Sequence, residues 1–193
     1  MITHLRGKLV EKNPTYVIIE CNGVGYFLNI SLNTFSCIKD EENIKLYTHL
    51  QIKEDAHTLF GFATRTEREI FRLLISVSGI GSSIARTMLS SLNPEQIRDA
   101  IANEDVATIQ AIKGIGAKTA QRVIVDLKDK ILKVYDIGEV SPSSNNTTKE
   151  EALSALEVLG FARKQSEKVI DKVLAQDSSL SVENIIKQAL KNL

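Results

Sequence analysis

The chain has 193 residues, with 24 basic and 24 acidic side chains, so its formal net charge is zero. A hydrophobic content of 43% and a charged content of 25% are typical of a folded globular protein, which excludes whole-chain disorder and a fibrous repeat. Apolar runs never approach the roughly 18 residues that a membrane-spanning helix needs. The first residues also lack the apolar stretch of a secretory signal, so we expect a cytoplasmic protein.

Residues 1–63 predict a small β-barrel. Turn signals at Asn13-Pro14 and Asn22-Gly23 separate the first predicted strands. Seven of the ten aromatic residues lie in this segment, as the packing of a small closed sheet requires, and a five-stranded barrel of the OB type is the simplest prediction. Alternating or β-branched runs predict strands at 5–10, 16–21, 24–30, 44–52 and 58–62. Lys53, Glu54 and Asp55 then form a charged hairpin tip between the last two strands.

Residues 64–135 predict an all-helical domain and form the most basic part of the chain, with 11 basic and 8 acidic side chains. Thr64 with Glu67 has the pattern of a capping box, and Asn93 with Gln96 supplies a second one that encloses a proline. The predicted helices are 65–77, 82–91, 94–102, 104–111 and 117–133. Because this segment carries the excess of positive charge, we look for function here first.

The remainder predicts a linker and a small bundle. Residues 136–148 are rich in Ser, Asn and Pro and show no apolar periodicity, which is typical of a flexible linker. Residues 149–193 predict three helices, near 149–159, 163–175 and 181–192, with Thr148 and Glu151 as their opening cap. The overall fold class is therefore multidomain α+β: an OB barrel, a helical domain and a three-helix bundle.

The most informative feature is an internal repeat of a Gly-Ile-Gly hairpin at a spacing of 35 residues, with Gly79 and Gly81 in one copy and Gly114 and Gly116 in the other. Glycine permits backbone angles closed to other residues, so the chain can reverse tightly and bring its amides close to an external group. The helix that follows points its free N–H groups to the same place, which favours an anion such as phosphate. Ile80 and Ile115 are expected to anchor the two hairpins.

Side chains beside the hairpins strengthen the prediction of a phosphate site. Lys118 and Arg122 lie four residues apart on one helical face, where a phosphate held by backbone amides would meet both cations. The corresponding contacts of the first copy are expected from hydroxyls and one guanidinium. The candidate phosphate ligands next to the glycines are Ser82, Ser83, Arg86, Lys118, Thr119 and Arg122.

Other interpretations of the glycines are weaker. A dinucleotide-binding fingerprint would need a third glycine and a preceding strand, and a P-loop would need glycine at Ala117. Tight helix connections or protein-docking surfaces remain the plain alternative. Cys21 and Cys37 form no CxxC pair and are interpreted as small core residues, and the histidines lack the spacing of metal ligands. We therefore expect no metal, no cofactor, no ATPase motif and no catalytic residue.

Three stretches carry a resemblance to a known family: residues 2–8, 54–62 and 113–122. With the order and length of the segments, they make the whole chain similar to the RuvA family of Holliday junction branch-migration proteins. The resemblance implies a homotetramer, or an octamer on DNA, that holds a four-way DNA junction open in homologous recombination and repair. It also implies that the hairpins grip the arms, and that Glu54 and Asp55 form an acidic pin at the crossover.

The resemblance further implies partners and one departure. The C-terminal bundle would bind the ATP-driven motor RuvB, with Leu156, Leu159 and Phe161 as candidate contacts, and the complex would also serve the resolvase RuvC. The chain itself would be the DNA-binding subunit of a helicase complex and no enzyme alone. Family members often carry a lysine where this chain has Ser83, so the first hairpin is expected to grip less strongly.

Two rival functions belong to other classes. Helix-hairpin-helix units also occur in DNA glycosylases and nuclease subunits, and a nicking or base-release assay would reveal such an enzyme. A single-strand-binding OB protein should carry basic and aromatic side chains on its barrel face, whereas this barrel segment is slightly acidic. Competition between single-stranded and four-way DNA would discriminate that class.

Overall fold

A computed structural model describes residues 1–39, 41–136, 147–177 and 180–193. The chain divides into two compact units, residues 1–139 and 140–193. The first unit contains two hydrophobic clusters, one in the barrel and one among the helices, and the second contains its own. Within the described ranges, no helix has both the length and the apolar character needed to cross a membrane.

Five strands close into a barrel in the order β1-β2-β3-β5-β4. The neighbours are antiparallel except β3 and β5, which pair in parallel. The strands are β1 (His4–Asn13), β2 (Tyr16–Cys21), β3 (Val24–Asn29), β4 (Asn43–Ile52) and β5 (His57–Phe62). Each lies within a few residues of its predicted position, so the OB-fold prediction is confirmed.

Side-chain alternation explains why these strands form a closed barrel. Val17, Ile19 and Leu28 are completely buried inside it, while their neighbours along β2 and β3 point outward. Asn22 and Gly23 adopt φ angles of 49° and 81° in the turn between these strands. A two-residue turn with two positive φ angles matches the twist of paired strands, and Asn-Gly is the sequence that favours it.

A short helix, α1 (Leu32–Cys37), lies between β3 and β4 and was not predicted. Ser31 caps it by accepting a hydrogen bond from the Thr34 amide at 2.9 Å. The interpretation of both cysteines as core residues is wrong in part. Cys21 packs against the barrel core, but Cys37 at the end of α1 is exposed.

The helical part of the first unit contains five helices in its described residues, and the predicted number is confirmed. They are α2 (Arg65–Ile75), α3 (Ser82–Ser91), α4 (Pro94–Ala102), α5 (Val106–Gln110) and α6 (Ala117–Asp136). The predicted starts of α3, α4 and α6 agree with the structure. The helix α5 is shorter than predicted because Asp105 caps it, accepting from the Thr108 amide at 3.0 Å.

One of the two predicted capping boxes is complete, and the other is only half formed. Asn93 and Gln96 exchange both hydrogen bonds at the start of α4. Thr64 accepts from the Glu67 amide at 3.1 Å, but the Glu67 side chain does not return to Thr64. It turns into the protein and is completely buried.

The buried Glu67 carboxylate joins α2 to the barrel. It accepts hydrogen bonds from the Ser31 hydroxyl at 2.5 Å and from the Thr34 hydroxyl at 2.6 Å. The Phe71 ring, one helical turn further on, packs against the rings of Phe60 and Phe62 with centroids 5.0 Å away in each case. Barrel and helices are therefore held together by a polar anchor and an aromatic one.

The second unit is built from three helices, α7 (Thr147–Val158), α8 (Arg163–Gln176) and α9 (Val182–Asn192). Thr148 lies inside α7, so its predicted role as the helix cap is wrong. The predicted linker, 136–148, lies largely outside the described residues; Asp136 ends α6 and Thr147 begins α7. Leu153, Leu156 and Ile170 are completely buried in the core of the bundle.

Candidate nucleic-acid interface

The two Gly-Ile-Gly hairpins adopt the same backbone geometry. Gly79 and Gly114 both have a φ of 95°, a left-handed conformation that side chains disfavour. Each hairpin is closed by the same backbone hydrogen bond, from Ile80 to Val77 at 3.0 Å and from Ile115 to Ile112 at 3.1 Å. The repeat seen in the sequence is thus a structural repeat.

Each hairpin is anchored by its isoleucine and presents its glycines to solvent. Ile80 and Ile115 are 4% and 6% exposed, as predicted, and both belong to the helical core. Gly81 precedes α3 and offers no capping side chain, so the first-turn amides of α3 have no side-chain acceptor there. Gly116 precedes α6 in the same way. First-turn N–H groups without a side-chain acceptor make each hairpin a candidate anion site.

The two hairpins lie side by side. A Cβ added to Gly79 would lie 3.8 Å from the Thr119 methyl group at the start of α6. The Arg122 guanidinium donates to the Ser78 carbonyl of the first hairpin at 3.3 Å. Both candidate phosphate sites therefore belong to one continuous surface.

The second hairpin carries the exposed cations. Lys118 and Arg122 are both exposed on α6, one helical turn apart. Lys113, directly before Gly114, is also exposed at this hairpin and was not among the predicted ligands. Its position next to the glycine is the sequence signal that could have identified it. Three cations around one hairpin favour a phosphodiester backbone as the ligand.

In the first hairpin, two of the predicted phosphate ligands form hydrogen bonds to the barrel, and their role as phosphate ligands stays a prediction. The Ser82 hydroxyl donates to Oε1 of Gln51 in β4 at 2.8 Å. The Arg86 guanidinium donates to Oδ1 of Asn29 in β3 at 2.8 Å. Both predicted phosphate ligands contact the barrel, because they lie on the face of α3 that packs there. Ser83 is exposed beside the glycines.

The predicted acidic pin forms the loop between β4 and β5. Glu54 and Asp55 are exposed at its tip, and the Lys53 amide donates to the Ala56 carbonyl at 2.9 Å across the loop. The loop thus presents two carboxylates from the barrel. In the part of the chain that the structure describes, no three His, Cys, Asp or Glu side chains are grouped so as to hold a metal ion.

The candidate motor-binding residues of the second unit separate into different environments. Leu156 is completely buried, so its predicted role as a contact is corrected to a core role. Leu159 is 58% exposed, and its neighbour Val158, which was not predicted, is 86% exposed. Phe161 packs against the bundle core. The apolar surface of this unit is therefore centred on Val158 and Leu159.

Fold and site together define a class: DNA-binding proteins with an OB barrel and a tandem of helix-hairpin-helix motifs. Three family models match the chain and cover most of its length. They are the RuvA N terminal domain over residues 1–61, the SAM-like helix-hairpin-helix tandem over 71–129, and the RuvA C-terminal domain over 148–193.

Full-length relatives agree with the family models. The chain is 67% identical over 193 residues to a protein of Christiangramia forsetii and 64% identical to one of Flavobacterium psychrophilum, each alignment covering all of both chains. A protein of Cytophaga hutchinsonii is 50% identical over 197 positions, covering 99% of each chain. All three are named Holliday junction branch migration complex subunit RuvA. The chain belongs to the RuvA family.

Proposed function

We propose that this chain is the DNA-binding, non-motor subunit of a branch-migration complex and that it binds four-way DNA junctions. One observation supports the proposal: two neighbouring hairpins with exposed glycines and cations lie on the same unit as an exposed acidic loop. Backbone amides and lysines hold phosphates without reading bases. Binding should therefore depend on DNA shape and on salt concentration rather than on sequence.

The acidic pin accounts for selectivity in this proposal. Glu54 and Asp55 repel phosphates, so a linear duplex lying across the pin is disfavoured, while an open junction leaves room for it. A fourfold ring of subunits, implied by the resemblance, would bring eight carboxylates to the crossover. An octamer would enclose the junction from both sides.

Each segment of the chain has its own role in this proposal. Residues 1–63 carry the pin, 64–135 the phosphate grip and 149–193 the contact with the RuvB motor, with 136–148 as the connection between them. We assign the motor contact to the apolar surface around Val158 and Leu159, because large apolar side chains exposed together favour a protein partner. RuvC would engage the same junction complex.

Competition binding tests the proposal. Four-way, linear duplex and single-stranded DNA of equal length compete for the purified chain, and nicking of each DNA is followed in the same samples. We expect the four-way junction to be preferred and all strands to stay intact. Preference for single strands would support an OB-type single-strand binder instead, and strand cleavage or base release would support a repair enzyme.

The variant Glu54→Gln with Asp55→Asn tests the pin itself. Removing two charges per subunit should strengthen binding to linear duplex several-fold and reduce the preference for the junction, because like-charge repulsion is lost. The variant Glu41→Gln with Glu42→Gln is the matched control, since it removes an adjacent exposed acidic pair from the same barrel. Equal effects of both variants would contradict the role of the pin.

A further inference from the structure

The two hairpins are related by the 35-residue repeat, yet their helices expose different faces. The exposed pair Lys118 and Arg122 of α6 corresponds in the repeat to Ser83 and Thr87 of α3. The pair on α3 that contacts the barrel, Ser82 and Arg86, corresponds to Ala117 and Gln121, which are both exposed on α6. The cations of α6 thus lie on the face that is exposed, whereas the arginine of α3 lies on the face that contacts the barrel.

Ser82 and Arg86, which follow the first hairpin, both donate hydrogen bonds to side-chain amides of the barrel. Gln51 accepts from Ser82 at 2.8 Å and lies two residues before Lys53, where the pin loop begins. Asn29, at the end of β3, accepts from Arg86 at 2.8 Å, and the same guanidinium reaches the Thr15 carbonyl at 3.3 Å. The start of α3 is therefore joined to β4, which leads into the pin loop, and the next turn of α3 is joined to β3.

The first hairpin in turn positions the second one. The Thr119 methyl group lies 3.8 Å from where a Cβ of Gly79 would be, and Arg122 donates to the Ser78 carbonyl, so the second hairpin is placed by the first. A chain of contacts then runs from the pin through Gln51 and α3 to the exposed cations of α6. A change in the barrel contacts would alter the distance between the pin and the phosphate sites.

We infer that Gln51 and Asn29 are positioning residues that set the first hairpin at a fixed distance from the acidic pin, so that the protein discriminates a four-way junction from linear DNA. This inference rests on the proposed function. Neither amide needs to touch DNA. The phosphate grip on any duplex comes from the hairpin amides and from Lys113, Lys118 and Arg122. Selectivity for the junction also requires a fixed distance between these groups and the pin.

The test is the variant Asn29→Ala with Gln51→Ala in the full chain. Its matched control is Asn43→Ala with Gln110→Ala, which removes an exposed Asn and an exposed Gln from the same unit. Affinities for four-way and linear DNA are measured at one salt concentration. We expect linear-duplex affinity to stay within about twofold and junction affinity to fall roughly tenfold to thirtyfold, because each of the two lost hydrogen bonds contributes a factor of about five.

The parent protein separates the two hypotheses. If the parent shows no preference for the junction, the proposed function fails. If the parent prefers the junction and the folded variant keeps the same preference, the positioning role is overturned. Equal loss on both DNAs also overturns it, since that result would indicate a general weakening of the fold.

Two further single variants keep the inference testable if the double variant does not fold. Gln51→Ala alone removes the contact nearest the pin and should lower the preference by about twofold to fivefold. Gln51→Glu keeps an acceptor for the Ser82 hydroxyl and should retain the preference better than Gln51→Ala, although its added charge lowers affinity for both DNAs. A preference that is the same in Gln51→Ala as in the parent overturns the inference.

Discussion

The two Gly-Ile-Gly hairpins have one backbone geometry and two different surroundings. In the second, Lys118 and Arg122 are exposed beside the glycines. In the first, Ser82 and Arg86 contact barrel side chains, and Ser83 is the exposed neighbour of the glycines. The comparison shows that a sequence repeat can preserve one backbone geometry while its copies differ in their side chains: the second copy exposes two cations, and polar side chains of the first contact the barrel.

The largest effect is expected at Glu67, whose buried carboxylate joins α2 to the barrel. Glu67→Ala leaves the buried hydroxyls of Ser31 and Thr34 without their acceptor, which should lower the free energy of unfolding by about 2–4 kcal/mol. Glu69→Ala is the control, because Glu69 forms partly exposed ion pairs with Arg68 and Arg72 and should cost less than about 1 kcal/mol. Urea unfolding measures both, and equal losses would remove the special status of the anchor.

The second largest effect is expected from a variant that makes the two hairpins alike. Ser83→Lys adds a cation where the repeat has Lys118, so junction affinity should rise roughly threefold to tenfold and its dependence on salt should steepen. The control Ser154→Lys adds the same charge at an exposed position of the second unit. Titration at several ionic strengths decides. An equal gain from both variants would mean that net charge, and no specific phosphate contact, controls binding.

The smallest effect concerns His49, whose ring lies 5.4 Å from that of Phe71, where barrel and α2 meet. Burial, aided by the cations Arg72 and Arg68, lowers the pKa of His49 below its usual value of 6.5, against an opposing effect of Glu69. The unfolded chain therefore binds the proton more readily, so this group's stabilisation is present above pH 6.5 and is lost as the pH falls through the lowered pKa.

The variant His49→Gln isolates that contribution. The free energy of unfolding of the parent should fall more between pH 7.5 and pH 5.5 than that of the variant, as measured by urea unfolding at both values. The difference is expected to be below about 1 kcal/mol, since the ring is only half-buried. Identical pH dependence of parent and variant would show that His49 does not titrate differently on folding.

The sequence predicted the barrel, the helices and the hairpins because each depends on local patterns. The strands alternate, the helix α4 has both partners of its capping box, and the glycines repeat at a constant spacing. The helix α1 escaped prediction because six residues are too few to show a helical period. Its one usable signal was Ser31, a residue type that often caps helices.

The missed features of the site depend on contacts between distant segments. Glu67 matched a local capping pattern, but its side chain is satisfied by Ser31 and Thr34 instead, more than 30 residues away in the chain. Arg86 looked like a phosphate ligand because its residue type and position fit, and only the fold reveals Asn29 as its partner. In the second unit, helical spacing alone did not separate the buried Leu156 from the exposed Val158.

The variant Lys118→Ala with Arg122→Ala tests most directly whether the second hairpin is the main phosphate-binding site. The matched control, Lys164→Ala with Lys168→Ala, removes two exposed lysines at the same four-residue spacing from α8. Junction affinity is titrated at several salt concentrations. The hairpin variant should lose at least roughly tenfold in affinity, and its salt slope should flatten by about two per engaged subunit, while the control stays close to the parent. A hairpin variant that keeps the affinity and salt slope of the parent would contradict phosphate binding by the second hairpin.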